Sequence, residues 1–372
     1  GAGAVLPMSI TIVGDLYSVE ERARVQGYVA SVWAVSSVIG PALGGLFSDY
    51  LSWRWIFFLN LPLGIAAIWM LWRRFHESVT RRRHRLDLGG AALLTAGSSL
   101  LILGLLQGGV SWAWSSATGL SVLAAAVLLL GAFVVVERRV EEPVLPPWVF
   151  STRVLNGGNA VSLMVGVVLM GLTTFVPAYV QGVLGTSALV AGAAVAAVTL
   201  GWPVAASLSG RLYLRIGFRD TALIGGLLVV LGSGSMLWLG PESPVLLVAL
   251  PCLVVGAGLG FSSVPTLVAV QSAVSWDRRG VATGTVMFSR NIGAAVGAAL
   301  FGAVANAVLA ARLVHPDRAE RLLTAGRHRA GASTEGLRDA LFAAVHQVFL
   351  VTLLTALLLA AAVWLMPRRT PS

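Results

Sequence analysis

The sequence predicts an all-α polytopic membrane fold, and three observations carry that prediction. Of 372 residues, 57% are hydrophobic and 11% charged, against about 25% charged in soluble domains. The charges cluster between apolar runs, and a run of roughly 20 residues crosses a hydrocarbon core about 30 Å thick. Every one of the 26 basic residues is arginine, and these gather in alternate loops, as cytoplasmic loops do under the positive-inside rule.

Eleven apolar segments lie between the charge and turn clusters: 1–16, 24–49, 53–72, 88–108, 117–136, 154–181, 187–210, 220–240, 244–270, 280–310 and 340–366. Loops 17–23, 73–87, 137–153, 211–219 and 271–279, with the tail from 367, carry most of the arginines and are placed in the cytoplasm. The opposite loops, near 50–52, 109–116, 182–186 and 241–243, contain none. The long outer loop 311–339 is the exception. Its Arg312, Arg318, Arg321, Arg327, Arg329 and Arg338 are offset in part by Asp317, Glu320, Glu335 and Asp339, and long loops translocate with weaker regard to charge.

A net charge of +10 would suggest nucleic-acid binding in a soluble protein. Here it is accounted for by the loop arginines, and no nucleic-acid partner is expected. Cys252 is the single cysteine and lies in an apolar run, so neither a disulfide framework nor a thiol metal site is expected. His76, His84, His315 and His328 lie in loops without metal-ligand spacing, and no metal is expected. The opening GAGAVLPMSITIV lacks a basic region and a small-residue cleavage site, so it is read as part of a span and not as a signal peptide. GAGLGFSS at 256–263 has the look of a dinucleotide fingerprint, but it is embedded in an apolar span with no strand before it and is read as helix packing.

An internal repeat fixes the order of the segments. Offsetting the chain by 257 residues lays EERARVQG (20–27) on DRRGVATG (277–284), pairing Arg22 with Arg279 and Gly27 with Gly284. In the same register Gly40 falls on Gly297, Leu43 on Leu300, Gly45 on Gly302, and Gly1 and Gly3 on Gly258 and Gly260. The first segment therefore corresponds to the ninth. Segments six to eleven form one six-helix unit whose fourth helix is the ninth segment, so the first segment is also read as a fourth helix. The expected organisation follows: 1–72 as helices 4–6 of an N-terminal half, 73–153 as cytoplasmic linkers and an inserted helix pair, and 154–372 as a C-terminal half. On this count the chain holds eleven helices of an original fourteen and is N-terminally truncated by three.

The most informative stretch is VIGPALGGLFSDYLSWRWIFFLNLP, from Val38 to Pro62. Gly40, Gly44 and Gly45 form a small-residue face that lets helices approach closely, and Pro41 removes a backbone donor and bends the helix. Taken alone, this is also what packing in any membrane bundle needs. With the WRWIFFLNLP entry, the PAYVQGVLG run at 177–185 and the RNIGAAVGAALFG run at 290–302, the chain resembles the major facilitator superfamily, specifically the fourteen-helix drug:proton antiporter family of the QacA/EmrB type. The resemblance covers nearly the whole chain.

The resemblance implies a major facilitator fold in the bacterial inner membrane, with alternating access between two halves. It implies proton-coupled efflux of hydrophobic or cationic small molecules such as drugs, dyes or antibiotics, by a monomer that uses the proton gradient and no cofactor. It also identifies Gly40, Pro41, Gly44 and Gly45 as the antiporter motif. Two departures stand out. In GRLYLRIGFR (210–219), similar to the superfamily's cytoplasmic signature, Leu214 stands where an acid is usual, and Ala298 stands at the repeat position of Pro41. Cytoplasmic gate candidates are Asp15, Arg22, Arg215, Arg219 and Arg279.

Polar residues inside a span are expensive and mark function by default. Arg290 lies ten residues into its segment, about 15 Å deep at 1.5 Å per residue. Its repeat counterpart is Trp33, and both are candidates for a central cavity, with Asn159, Tyr179, Gln181 and Asn291. For the last four an interhelical hydrogen bond explains the residue equally well. No carboxylate lies in the middle of a span, and the spans hold no paired acids, His/Cys cluster or nucleophile with a base, which argues against an enzyme. A transporter of another small metabolite and a non-transporting fragment of an exporter are the alternatives left open.

Overall fold

The computed structural model describes scattered residues between 8 and 36, and then 54–74, 87–109, 111–140, 143–312 and 334–367. The described residues form nine long helices: α1 (Arg54–Arg74), α2 (Leu88–Gln107), α3 (Ala117–Glu137), α4 (Arg153–Ala178), α5 (Ala188–Ile216), α6 (Phe218–Ser235), α7 (Val245–Ser272), α8 (Arg279–Arg312) and α9 (Thr334–Trp364). Eight of them, α2 to α9, are long and apolar enough to cross a membrane. These nine helices answer to the third to eleventh predicted segments. Of the first two segments, residues 8–13 and several between 21 and 36 are described, and they are helical.

Helix starts are written locally. Asp87, Ser116, Thr152 and Ser187 are N-caps of α2, α3, α4 and α5, accepting hydrogen bonds from the amides of Gly90 (2.8 Å), Gly119 (3.1 Å), Leu155 (3.3 Å) and Val190 (3.4 Å). α2 and α3 form an antiparallel hairpin in which Gly97 lies against Leu130 and Gly104 against Leu123. At its base the buried Glu137 accepts from the amides of Val144 (2.9 Å) and Leu145 (3.2 Å), folding the following linker back onto the helix end.

α4 to α9 form a six-helix bundle of two groups. One group is α5, α6 and α7; the other is α4, α8 and α9. Each contains the first helix of one sequence triplet and the second and third of the other, which is the exchange that inverted three-helix repeats produce. The core between them is built from Val165, Val168, Leu172, Val176, Val229, Val255, Leu259, Val348 and Leu359, all essentially inaccessible. A second cluster at the other end joins Val154, Leu155, Leu267, Val270, Val286 and Met366, and Ile10 from residues 8–13 packs against it together with Trp148.

Three segment ends differ from the sequence reading. α5 continues through Arg211 and Arg215 to Ile216, so the predicted loop 211–219 shrinks to Gly217, which holds φ at 92° between two helices. Arginine stems run along apolar surface while their heads reach water, so a helix outlasts the hydrocarbon boundary that hydropathy detects. For the same reason α8 takes in Arg312 and α9 starts at Thr334, which places Arg338 and Asp339 in a helix and not in the outer loop. Arg338 donates from Nε to the Val183 carbonyl (2.7 Å) and from a terminal nitrogen to the Pro241 carbonyl (2.6 Å). Finally, α4 does not run unbroken to 181. After Pro177 it widens into a π-turn, Tyr179–Val183, as helices do where a proline removes a donor.

Candidate functional site

The candidate site is where α4 and α8 cross. Lipid tails are as apolar as leucine, so transmembrane helices associate through close packing of small residues. Here that packing is backbone on backbone. A Cβ added to Gly166 would run into the Arg290 carbonyl and lie 2.8 Å from the Ala294 nitrogen. One added to Gly293 would strike the Leu163 carbonyl, and one on Gly297 would lie 2.9 Å from the Val167 Cα. The two helices run parallel with a constant offset, Leu163 facing Gly293 and Val167 facing Gly297.

The same device recurs at the crossing of α5 and α7. Gly201 lies against the Leu253 carbonyl and 2.8 Å from the Ala257 nitrogen by the same measure, Gly256 against the Val198 carbonyl, and Gly260 2.5 Å from the Trp202 carbonyl. Residue for residue, Gly166 stands as Gly201 does, Gly293 as Gly256 and Gly297 as Gly260. At the position where α7 carries Leu253, α8 carries Arg290. One of two matching crossings is apolar and the other holds a charge.

Arg290 is partly buried, and its side chain forms no ion pair or hydrogen bond among the described residues. The parallel register sets its Cα one residue from the level of Asn159. Asn159 lies two turns before Gly166, on the stripe of α4 that faces α8. It is 9% exposed, and neither its amide nitrogen nor its carbonyl oxygen has a partner. Leaving a buried polar group unsatisfied costs about 1–3 kcal/mol, and an arginine near the bilayer centre about 2.5–3.5 kcal/mol on insertion scales. Two adjacent levels of one helix crossing bear both costs. Close by, buried Gln271 of α7 donates to Thr283 of α8 at 3.0 Å, so that neighbouring polar pair is satisfied internally. Chemically the Arg290 and Asn159 pair can bind: a guanidinium brings five N–H donors and no acceptor, an amide two donors and an acceptor.

The other predicted residues fall elsewhere. Tyr179 is 1% exposed, donates its hydroxyl to the Gly240 carbonyl at 2.5 Å and meets Phe349 edge-on at 5.9 Å. It ties the end of α4 to the α6–α7 loop, beside the two carbonyls that Arg338 holds. Gln181 and Asn291 are exposed. Arg215 is exposed near the end of α5, whereas Arg219 lies over the Trp364 ring at 4.5 Å, pinning the start of α6 to the end of α9. Arg279 opens α8 and is partly buried. Ala298, the counterpart of Pro41, lines a groove of about 360 Å³ between α8 and the α2–α3 hairpin, with Leu106, Trp114 and Asn306. Trp33, the motif residues Gly40, Pro41, Gly44 and Gly45, and Asp15 and Arg22 lie outside the described residues.

Sequence reasoning missed Glu137 and the role of Arg338. Both act on backbone groups, and a backbone partner leaves no residue-type signal. The acidic Glu137 at the end of an apolar run, seven residues before the amide it holds, was the visible sign.

Residues 1–298 match the Major Facilitator Superfamily. Among curated proteins, the chain is 30% identical over 307 residues to Multidrug transporter protein MdtP of Bacillus subtilis (strain 168), covering 82% of this chain and 57% of that protein. It is 29% identical over 313 residues to Multidrug resistance protein 3 of the same organism, covering 84% of this chain and 61% of that protein. It is 31% identical over 318 residues to Puromycin resistance protein pur8 of Streptomyces alboniger, covering 84% of this chain and 63% of that protein. The chain thus spans about three-fifths of the length of these relatives.

Proposed function

Because the chain belongs to the major facilitator superfamily, we propose that it serves proton-coupled efflux of hydrophobic or cationic small molecules across the bacterial cytoplasmic membrane, by alternating access. Within this reading the chain is of the fourteen-helix type: 1–72 supply helices 4–6 of the N-terminal half, 73–153 the linkers and inserted pair, and 154–372 the C-terminal half. It acts as a transporter and not as an enzyme, without a cofactor and as a monomer.

The observation that carries the reading is the α4–α9 bundle. Its exchanged triplets provide a half that moves as one body, and Arg290, a charge inside a span with no partner among the described residues, lies at mid-depth, where a transporter's binding groups belong. The relatives' names, multidrug transporter and puromycin resistance protein, support export of drug-like compounds. The Gly40-Pro41-x-x-Gly44-Gly45 run supports antiport through the family resemblance.

The test uses everted membrane vesicles from cells expressing the protein that contains residues 1–372. A fluorescent lipophilic dye should accumulate when respiration establishes a proton gradient and leak back when an uncoupler collapses it. Pro41→Ala should insert normally and transport poorly. Accumulation that ignores the uncoupler would refute proton coupling, and normal export by Pro41→Ala would reduce the motif to packing.

A further inference from the structure

We infer that Arg290 and Asn159 form a ligand subsite for a hydrogen-bond acceptor group, a carboxylate first of all, so that the C-terminal half holds the acidic or carbonyl end of a lipophilic molecule. The name substrate for that molecule rests on the efflux reading above; the subsite itself does not.

Three observations converge. Arg290 is a permanent cation inside a span, and the helix pair that duplicates its packing carries Leu253 at the same place, so the charge is not needed to build such a crossing. Among the described residues no carboxylate, hydroxyl or carbonyl is bound to the guanidinium, although an arginine in a membrane ordinarily pairs with an acid or with backbone carbonyls. Asn159, one residue away in level on the facing helix, is buried with all of its hydrogen-bonding capacity unused. Several buried polar groups of this bundle are internally satisfied, Gln271 with Thr283, Tyr179 with Gly240, Thr352 with Val348 and Thr355 with Thr352, while Ser233, Ser263, Ser272 and His346 each keep one side-chain atom without a partner. Among the described residues Asn159 alone has two such atoms, and the facing helix carries Arg290 one level away.

The chemistry of the ligand follows from the donors. A guanidinium fork matches the two oxygens of a carboxylate in geometry and charge, and the Asn159 amide adds N–H donors from the other helix. A monocation without an acceptor is repelled by Arg290 and offered only the Asn159 carbonyl oxygen. Of the substrate classes proposed above, the hydrophobic one carrying an acidic or carbonyl head group is the class this half is built to hold.

The test compares two fluorescent probes with the same apolar body and opposite charge, pyrenebutyrate and pyrenemethylammonium. The protein containing residues 1–372 is placed in nanodiscs of zwitterionic lipid, binding is read as energy transfer from tryptophan to pyrene, and empty discs are subtracted. The anion is expected to bind at least tenfold more tightly than the cation. Arg290→Ala should weaken the anion about tenfold and leave the cation unchanged or tighter, while Arg290→Lys, which keeps the charge and loses the fork, should fall between. Asn159→Asp reads the juxtaposition directly: a carboxylate there should take the guanidinium for itself, abolish the anion preference and raise the thermal midpoint. That variant decides the matter if Arg290→Ala is poorly folded.

Equal binding of both probes to the parent protein, or an anion preference that survives Asn159→Asp or a folded Arg290→Ala, would overturn the subsite. Charge-selective binding in a protein that exports nothing would overturn the efflux reading instead and leave the subsite standing.

Discussion

Among the described residues, the closest helix contacts give a prediction with a sign and a size. Gly166→Ala places a methyl group on α4 against the Arg290 carbonyl and 2.8 Å from the Ala294 nitrogen of α8. These are backbone atoms of a helix, so no side chain can rotate away, and α4 and α8 must separate by about 1 Å along the line between them. Overpacking of this kind costs about 1–3 kcal/mol, while alanine regains up to about 1 kcal/mol of helix propensity over glycine. The net expectation is a loss of about 1–2 kcal/mol, a factor of roughly 5–30 in the folded population.

Gly192→Ala in α5 is the matched control, because a Cβ there meets nothing within 4 Å and only the propensity gain remains. Unfolding of the purified protein in mixed micelles of increasing sodium dodecyl sulfate, followed by tryptophan fluorescence, ranks the two variants. Gly166→Ala should unfold at a clearly lower detergent fraction than the parent, and Gly192→Ala at the same fraction or higher. If the two variants unfold alike, α4 and α8 do not meet through their backbones, and the register that sets Asn159 beside Arg290 falls with that contact.

Tyr179→Phe removes the hydroxyl that the Gly240 carbonyl receives and should cost about 1 kcal/mol, read as a lower thermal midpoint; an unchanged midpoint would show that this end of the bundle does not depend on the bond. Glu137→Ala leaves the Val144 and Leu145 amides without their acceptor, and deuterium exchange at those two amides should quicken at least tenfold while α3 itself stays protected. With Cys252, which is buried, replaced by alanine, single cysteines at 109–116 should label from outside intact cells with an impermeant maleimide and those at 137–153 should not; the reverse pattern would invert the topology.

Hydropathy made the spans legible because hydrocarbon imposes one length and one polarity on every helix that crosses it. Their ends were less so. Arg211 and Arg215 look like the start of a loop in sequence, yet backbone hydrogen bonding carries α5 past them to Gly217, the first residue whose conformation breaks the helix. Arg290 could be singled out from its depth, since few residue types are as costly there. Asn159 could be named but not ranked, because whether an asparagine is satisfied depends on what lies across the interface. Tyr179 was legible as a polar ring in an apolar run, whereas its partner, a carbonyl 61 positions away, belongs to the tertiary fold. The antiporter motif at 40–45 remains a reading of residue types, since those residues lie outside the described ones.

The crossings of α4 on α8 and of α5 on α7 are held by glycine against main chain, and this separates what maintains the bundle from what lines it. Six glycines, at 166, 201, 256, 260, 293 and 297, set two interhelical distances without calling on the identity of the side chains around them. Those side chains are then free to vary while the scaffold keeps its dimensions. A bundle built in this way can take single substitutions beside the crossings of α4 and α8, and each is tolerated because none of them has to rebuild a helix pair.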